Sequence, residues 1–146
     1  MEMSRLKKAV VPIGMALVGL GCVSLLVLMS SSQWGPPGTE AYRIYEARNR
    51  LPPVSIMLMG IGLIGVYLPL RAGLGSLGRL AFASSLIGVV FMLAGNIAEF
   101  WFFTDQPYGQ LNPRATAWSA FLFGALVLLV GLMTFMVFVA RRKQAP

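Results

Sequence analysis

The sequence predicts an all-α polytopic membrane protein: four transmembrane helices in one bundle, plus a short amphipathic helix in the first outer loop. Three observations predict it. Of the 146 residues, 57% are apolar and only 12% are charged, whereas soluble domains carry about 25% charge. The mean hydropathy is +0.74. Four apolar runs approach the roughly 20 residues that a helix needs to cross a bilayer core of about 30 Å. In lipid each segment must satisfy its own backbone, so unbroken apolar runs are read as helices. They also lack the alternation of a membrane barrel. This composition excludes a disordered chain, a coiled coil, a disulfide scaffold and an ordinary soluble domain.

The first span is read at about 9–29, between Lys7–Lys8 and Ser30–Ser31–Ser32. Its length exceeds the 7–15 residues of a signal-peptide core, so it is read as a span and not as a leader. The second span is read at about 54–70, after Pro52–Pro53. The third, at about 80–103, is interrupted in character only by Asn96 and Glu99. The fourth, at about 117–140, is closed by Arg141–Arg142–Lys143. One four-span domain therefore covers residues 1–146, with outer loops at 30–53 and 104–116 and an inner loop at 71–79.

Basic residues set the orientation. With the N-terminus in the cytoplasm, eight basic residues lie inside: Arg5, Lys7, Lys8, Arg71, Arg79, Arg141, Arg142 and Lys143. Four lie outside: Arg43, Arg48, Arg50 and Arg114. Both termini are thus expected in the cytoplasm, in a plasma (inner) membrane. The net charge of +7 is read as topogenic and lipid-facing. It does not point to nucleic acid, because no soluble surface interleaves basic and aromatic residues.

In the first outer loop, Trp34–Gly35–Pro36–Pro37–Gly38 reads as a rigid turn. Thr39 then caps a helix from Glu40 to Leu51. Ala41, Ile44, Tyr45, Arg48 and Leu51 fall on one face of it, and Glu46 pairs with Arg50 at i, i+4. Such a helix lies on a membrane surface or docks a partner. Tyr42, Ile44, Tyr45 and Arg48 are the docking candidates, since Tyr and Arg suit protein interfaces. In the second outer loop, Pro107–Gly109 and Asn112–Pro113 read as turns. Trp34, Trp101, Phe102, Phe103, Tyr108 and Trp118 form an aromatic belt at one depth. The inner loop, with Gly73, Gly75 and Gly78, closes a tight hairpin between spans two and three.

Lipid supplies no hydrophobic drive between helices, so small residues mark where backbones approach. The helix-packing candidates are Gly14 and Gly21 on the first span and Gly60 and Gly65 on the second. Ser84, Gly88 and Gly95 mark the third, and Gly124 and Gly131 the fourth. Spacings of seven residues suit a left-handed crossing near 20°.

The chain has no histidine, which removes the commonest acid–base residue and the usual haem or pigment ligand. Its single cysteine, Cys22, forms neither an intrachain disulfide nor a CxxC pair. The nine methionines are scattered, as packing filler is, rather than gathered as a copper(I) site. No metal and no cofactor is expected, and membrane lipid is the expected bound species. Asn96 and Glu99 are the candidate ligand or ion site. They stand three residues apart on one helical face, and an intramembrane acid is a functional hypothesis by default. Glu99 lies only about 6 Å below the end of its helix, by the 1.5 Å rise per residue. The structural reading has it pair with Arg114, Arg43 or Arg48 and lock the outer loops. The other readings are a proton or cation site, or a ligand to a pigment, lipid headgroup or quinone.

With few polar residues in spans one, two and four, the expected role is a non-catalytic subunit or scaffold of a larger membrane complex. An energy-converting bacterial membrane is the expected setting, with other integral membrane subunits as partners. The rival expectation is a small homo-oligomeric transporter or channel that uses Glu99.

Overall fold

The computed structural model describes residues 2–30, 35–104, 106 and 112–142, with side chains over 9–30, 35–104, 106 and 112–140. Trp34, Tyr108 and the Pro107–Gly109 turn of the sequence reading lie outside them. Every regular element among the described residues is helical: α1 (Glu2–Ser30), α2 (Glu40–Asn49), α3 (Pro52–Leu70), α4 (Ser76–Ile97) and α5 (Pro113–Arg142). A 3-10 turn, Arg71–Gly73, follows α3, and a π-helical turn, Ala98–Phe102, prolongs α4. Four segments are long and apolar enough to cross a membrane: Ala9–Ser30, Glu40–Gly73, Ser76–Phe102 and Pro113–Ala140. The chain is a multi-pass membrane protein.

The ends of the elements follow local chemistry. Pro36–Thr39 forms a turn closed by a 3.2 Å bond from the Thr39 N–H to the Pro36 carbonyl. Gly38 supplies the φ of 87° that this turn needs. Thr39 caps α2 by accepting from the Tyr42 N–H at 3.2 Å. The helix ends at Asn49, two residues earlier than expected, because Pro52 and Pro53 already open α3 and Leu51 is its N-cap. Proline suits those first positions because its missing N–H has no intrahelical partner there. Asn112 caps α5 through a 2.7 Å bond from the Ala115 N–H to its side-chain oxygen.

The bundle consists of two tightly zipped helix pairs, α1 with α3 and α4 with α5, joined across a core between α3 and α4. In the first pair, a Cβ on Gly14 would stand 2.7 Å from the Gly62 carbonyl, and one on Gly62 would stand 2.5 Å from the Gly14 carbonyl. A Cβ on Gly21 would meet the Ser55 carbonyl at 2.7 Å. Ser24 reinforces this seam with a 2.8 Å bond to the Ser55 hydroxyl. In the second pair, Gly88 and Gly124 face each other, each added Cβ falling 2.7 Å from the other's carbonyl. One heptad away on either side, an added Cβ on Gly95 would fall 2.6 Å from the Ala117 carbonyl, and one on Gly131 would fall 2.7 Å from the Ser85 backbone nitrogen. Both seams are antiparallel ladders of small residues at seven-residue spacing.

The small residues of α3 and α4 differ in what they meet. Gly62 makes the closest approach of α3 to α1, whereas an added Cβ on Gly65 finds only the Gly14 Cα, at 3.6 Å. Gly60 turns to α4, where its added Cβ would meet a Val89 methyl at 3.2 Å. On α4 the small residue in the α5 seam is Ser85, fully buried and bonded to the Ala81 carbonyl at 2.9 Å, and not the half-buried Ser84. The reason is the same in each case: one helical step is about 100°, so neighbouring small residues face different partners. Between the pairs, Ile56, Met59, Leu63, Phe82, Met92 and Phe135 fill the core, with the Tyr67 and Phe82 rings stacked at 3.8 Å.

Candidate functional site

The polar residues of the fold gather at the end that carries α2. Four sequence features converge there: the α2 helix, the π-helical turn after α4, the start of α5, and Thr104 with Gln106 between the last two.

Arg114 stands in the first turn of α5, one residue after Pro113, and is only 1% exposed. A cation there meets the positive end of the helix dipole, so burial requires compensating oxygens. Its NH1 donates to the Tyr42 hydroxyl at 2.6 Å and to the Thr104 carbonyl at 2.7 Å. It also reaches the Gln106 carbonyl at 3.3 Å. Its NH2 lies 3.7 Å from a carboxylate oxygen of Glu46. Two aromatic rings flank the guanidinium, Tyr42 at 5.8 Å and Phe100 at 5.9 Å from its central carbon. Tyr45 packs edge-on against Phe100, with centroids 5.8 Å apart.

This geometry overturns two readings of α2. The side it lays on the bundle is Tyr42, Tyr45, Glu46 and Asn49, while Ala41, Ile44, Arg48 and Leu51 are exposed. The helix is held by polar and aromatic contacts rather than by an apolar stripe. Glu46 faces Arg114 and not Arg50. Arg50 instead donates from Nε to the Phe100 carbonyl at 2.9 Å and lies 5.8 Å from the Trp101 ring centre. The docking candidates therefore divide. Tyr42 and Tyr45 belong to the polar cluster, and Ile44 and Arg48 face away from the bundle.

The π-helical turn explains the position of Glu99. The N–H of Phe103 bonds to the Ala98 carbonyl at 3.0 Å, which widens the turn by one residue. Glu99 and Phe100 are consequently buried side by side, each 1% exposed, while Trp101 and Phe102 are turned out at 59% and 75% exposure. Turns of this kind are frequent at functional sites. Asn96 is buried one turn below Glu99, and its side-chain oxygen accepts no hydrogen bond among the described residues. Of the three cations the sequence offers to Glu99, Arg114 is the buried one, whereas Arg43 and Arg48 are exposed on α2. In the aromatic belt, Trp101 and Phe102 are exposed, while Trp118 stacks on Phe121 at 5.3 Å.

Sequence reasoning missed Arg114 as the centre of the cluster, and the Thr104 and Gln106 carbonyls as its hydrogen-bond acceptors. The available signal was a lone arginine at the start of a helix, where a cation is disfavoured unless something holds it. Among the described residues, no group of three or more Asp, Glu or Cys side chains is arranged to hold a metal ion. Comparison of the chain with protein-family models, with curated proteins and with solved structures finds no match.

Proposed function

We propose that the chain is a non-catalytic integral membrane subunit or scaffold of a larger membrane complex. One observation carries this reading. Arg114 fastens α2 to the bundle through Tyr42 and Glu46, and Ile44, Arg43 and Arg48 of that helix are left exposed, as is Leu51 just after it. A short helix fixed by buried polar contacts, with a mixed apolar and basic outer face, is a preorganised ledge for a partner chain. Hydrogen bonds from the guanidinium to two backbone carbonyls and a tyrosine support a clamp. The basic residues support an orientation with α2 outside and both termini in the cytoplasm of a bacterial plasma membrane. An energy-converting membrane is the setting we favour.

The alternative, a small homo-oligomeric transporter that uses Glu99, draws on a different observation. Asn96 and Glu99 are buried beside a π-helical turn, and the Asn96 oxygen accepts no hydrogen bond among the described residues. Polar groups buried at membrane depth can mark an ion path.

A photo-crosslinking amino acid at Ile44, followed by purification in mild detergent, tests the assignment. A different chain, cross-linked and co-purified in stoichiometric amount, supports the subunit reading. A lone homo-oligomer without a cross-linked partner favours transport.

A further inference from the structure

We propose that Arg50 and Trp101 form a headgroup site for one anionic phospholipid at the α2 end of the bundle. Arg50 is the C-cap of α2 and is separated only by Leu51 from the proline pair that opens α3. Its guanidinium is held at one nitrogen: Nε donates to the Phe100 carbonyl at 2.9 Å. That carbonyl belongs to the end of a helix, where no following turn supplies a donor and where the dipole favours a cation. The Trp101 ring, 5.8 Å away, fixes the guanidinium from a second direction.

The contact at Nε leaves the two terminal amino groups of Arg50 available. They donate to nothing among the described residues, and the residue is exposed. This remaining fork matches two oxygens of a phosphate group. Arg50 is thus a pre-oriented phosphate ligand, whereas Arg114 has its hydrogen bonds taken up inside the fold.

The surroundings select a lipid as the source of the phosphate. Trp101 and Phe102 are strongly exposed at the end of a membrane-crossing segment, where aromatic rings sit at headgroup level. The residues that follow Arg50 into α3 are exposed and apolar: Leu51, Val54 and Met57. A ligand with a phosphate and acyl chains fits both surfaces, while free phosphate would use Arg50 alone. Arg43 and Arg48, exposed on the same short helix, add positive potential at this end. That potential favours an anionic over a zwitterionic headgroup. The site is independent of the subunit reading and stands or falls separately.

Native mass spectrometry of the full chain in mild detergent tests the site, with phosphatidylglycerol or phosphatidylcholine added in separate arms. The expected result is one retained phosphatidylglycerol, held at least about fivefold better than phosphatidylcholine. Arg50→Gln is expected to reduce it to the phosphatidylcholine level, a loss of about fivefold or more, and Arg43→Gln to keep it. Millimolar inorganic phosphate is expected to leave the adduct in place. Equal retention of the two lipids, an unchanged adduct in Arg50→Gln, or displacement by inorganic phosphate overturns the proposal, the last by assigning Arg50 to free phosphate. Because Arg50 also caps a helix end, Trp101→Leu provides a second variant at an exposed position. It is expected to weaken retention about threefold through loss of the ring beside the cation, and an unchanged adduct there also overturns the site.

Discussion

The Arg114 guanidinium donates a 2.6 Å hydrogen bond to the hydroxyl of Tyr42, a residue 72 positions earlier in the chain. The bond joins the start of α5 to α2, beside the longer contact between Arg114 and Glu46. The Tyr42 hydroxyl in turn reaches the Thr104 carbonyl at 3.4 Å, so three chain segments share one cation. Arg114→Leu removes that cation, leaves the Thr104 carbonyl with only the long bond from Tyr42, and takes the guanidinium donor from the Gln106 carbonyl. The expected loss is about 2–4 kcal/mol, read as a lower unfolding temperature in detergent. Arg114→Lys restores charge without the planar fork and is expected to recover less than half of it. Tyr42→Phe is expected to cost about 1 kcal/mol alone and less than that on top of Arg114→Leu, because the two residues share one contact.

Glu46 behaves differently, although it is the ion-pair partner of Arg114. Its oxygen stands 3.7 Å from the guanidinium, and its side chain is 18% exposed. At 3.7 Å the contact is too long for a hydrogen bond, which makes the pair weak. Glu46→Gln is therefore expected to lower stability by less than about 1 kcal/mol. A loss as large as that of Arg114→Leu would mean that the ion pair, and not the hydrogen bonds to carbonyls and Tyr42, holds the cluster.

The small-residue seams supply a third prediction. Gly62 and Gly124 each sit against the backbone of a neighbouring helix, and a larger side chain there has nowhere to move. Gly62→Leu and Gly124→Leu are expected to destabilise by about 1–3 kcal/mol or more, measured by thermal unfolding in detergent. Gly19, with nothing within 4 Å of an added Cβ, is the internal control and is expected to accept leucine without loss. Equal tolerance at all three positions would mean that these seams are not where the helices are held together.

The fold class and the seven-residue ladders were legible in the sequence because both are periodic and local. Gly88 with Gly95, and Gly124 with Gly131, announce a seam by spacing alone. The partner of each small residue was not legible, since it depends on the relative rotation of two helices. Gly62 and Gly60 are equally small and differ only in which way they point. The polar cluster was hidden for another reason. Arg114 is 72 residues from Tyr42 in sequence and nearly as far from Glu46, and a π-helical turn shifts the phase of the residues after Ala98. Glu99 was legible as an anomaly, an acid in an apolar run, but its surroundings depend on that shift.

The orientation is testable without any knowledge of activity. After replacement of Cys22 by serine, Glu40→Cys is expected to react with an impermeant maleimide in intact cells. Ala145→Cys is expected to react only after lysis. The reverse pattern would place α2 and its Arg114 clamp in the cytoplasm and remove the outer ledge from the subunit reading.

Glu99→Gln separates the two functional readings, because it preserves shape and removes only the charge of a carboxylate that is 1% exposed. If Glu99 is part of the clamp, its charge balances the cluster around Arg114. Glu99→Gln is then expected to lower the unfolding temperature and to release α2. Combined with Arg114→Leu, it is expected to do no more damage than the worse single change, within about 0.5 kcal/mol. Proteoliposomes of the wild-type chain are expected to show no flux driven by an ion or pH gradient. If Glu99 binds a proton or a cation, the burden of the buried charge runs the other way. A neutral glutamine at that depth is cheaper to bury than a carboxylate, so Glu99→Gln would hold or raise the unfolding temperature while abolishing a flux that the wild-type chain shows. A stable, folded Glu99→Gln protein with lost flux would overturn the subunit reading.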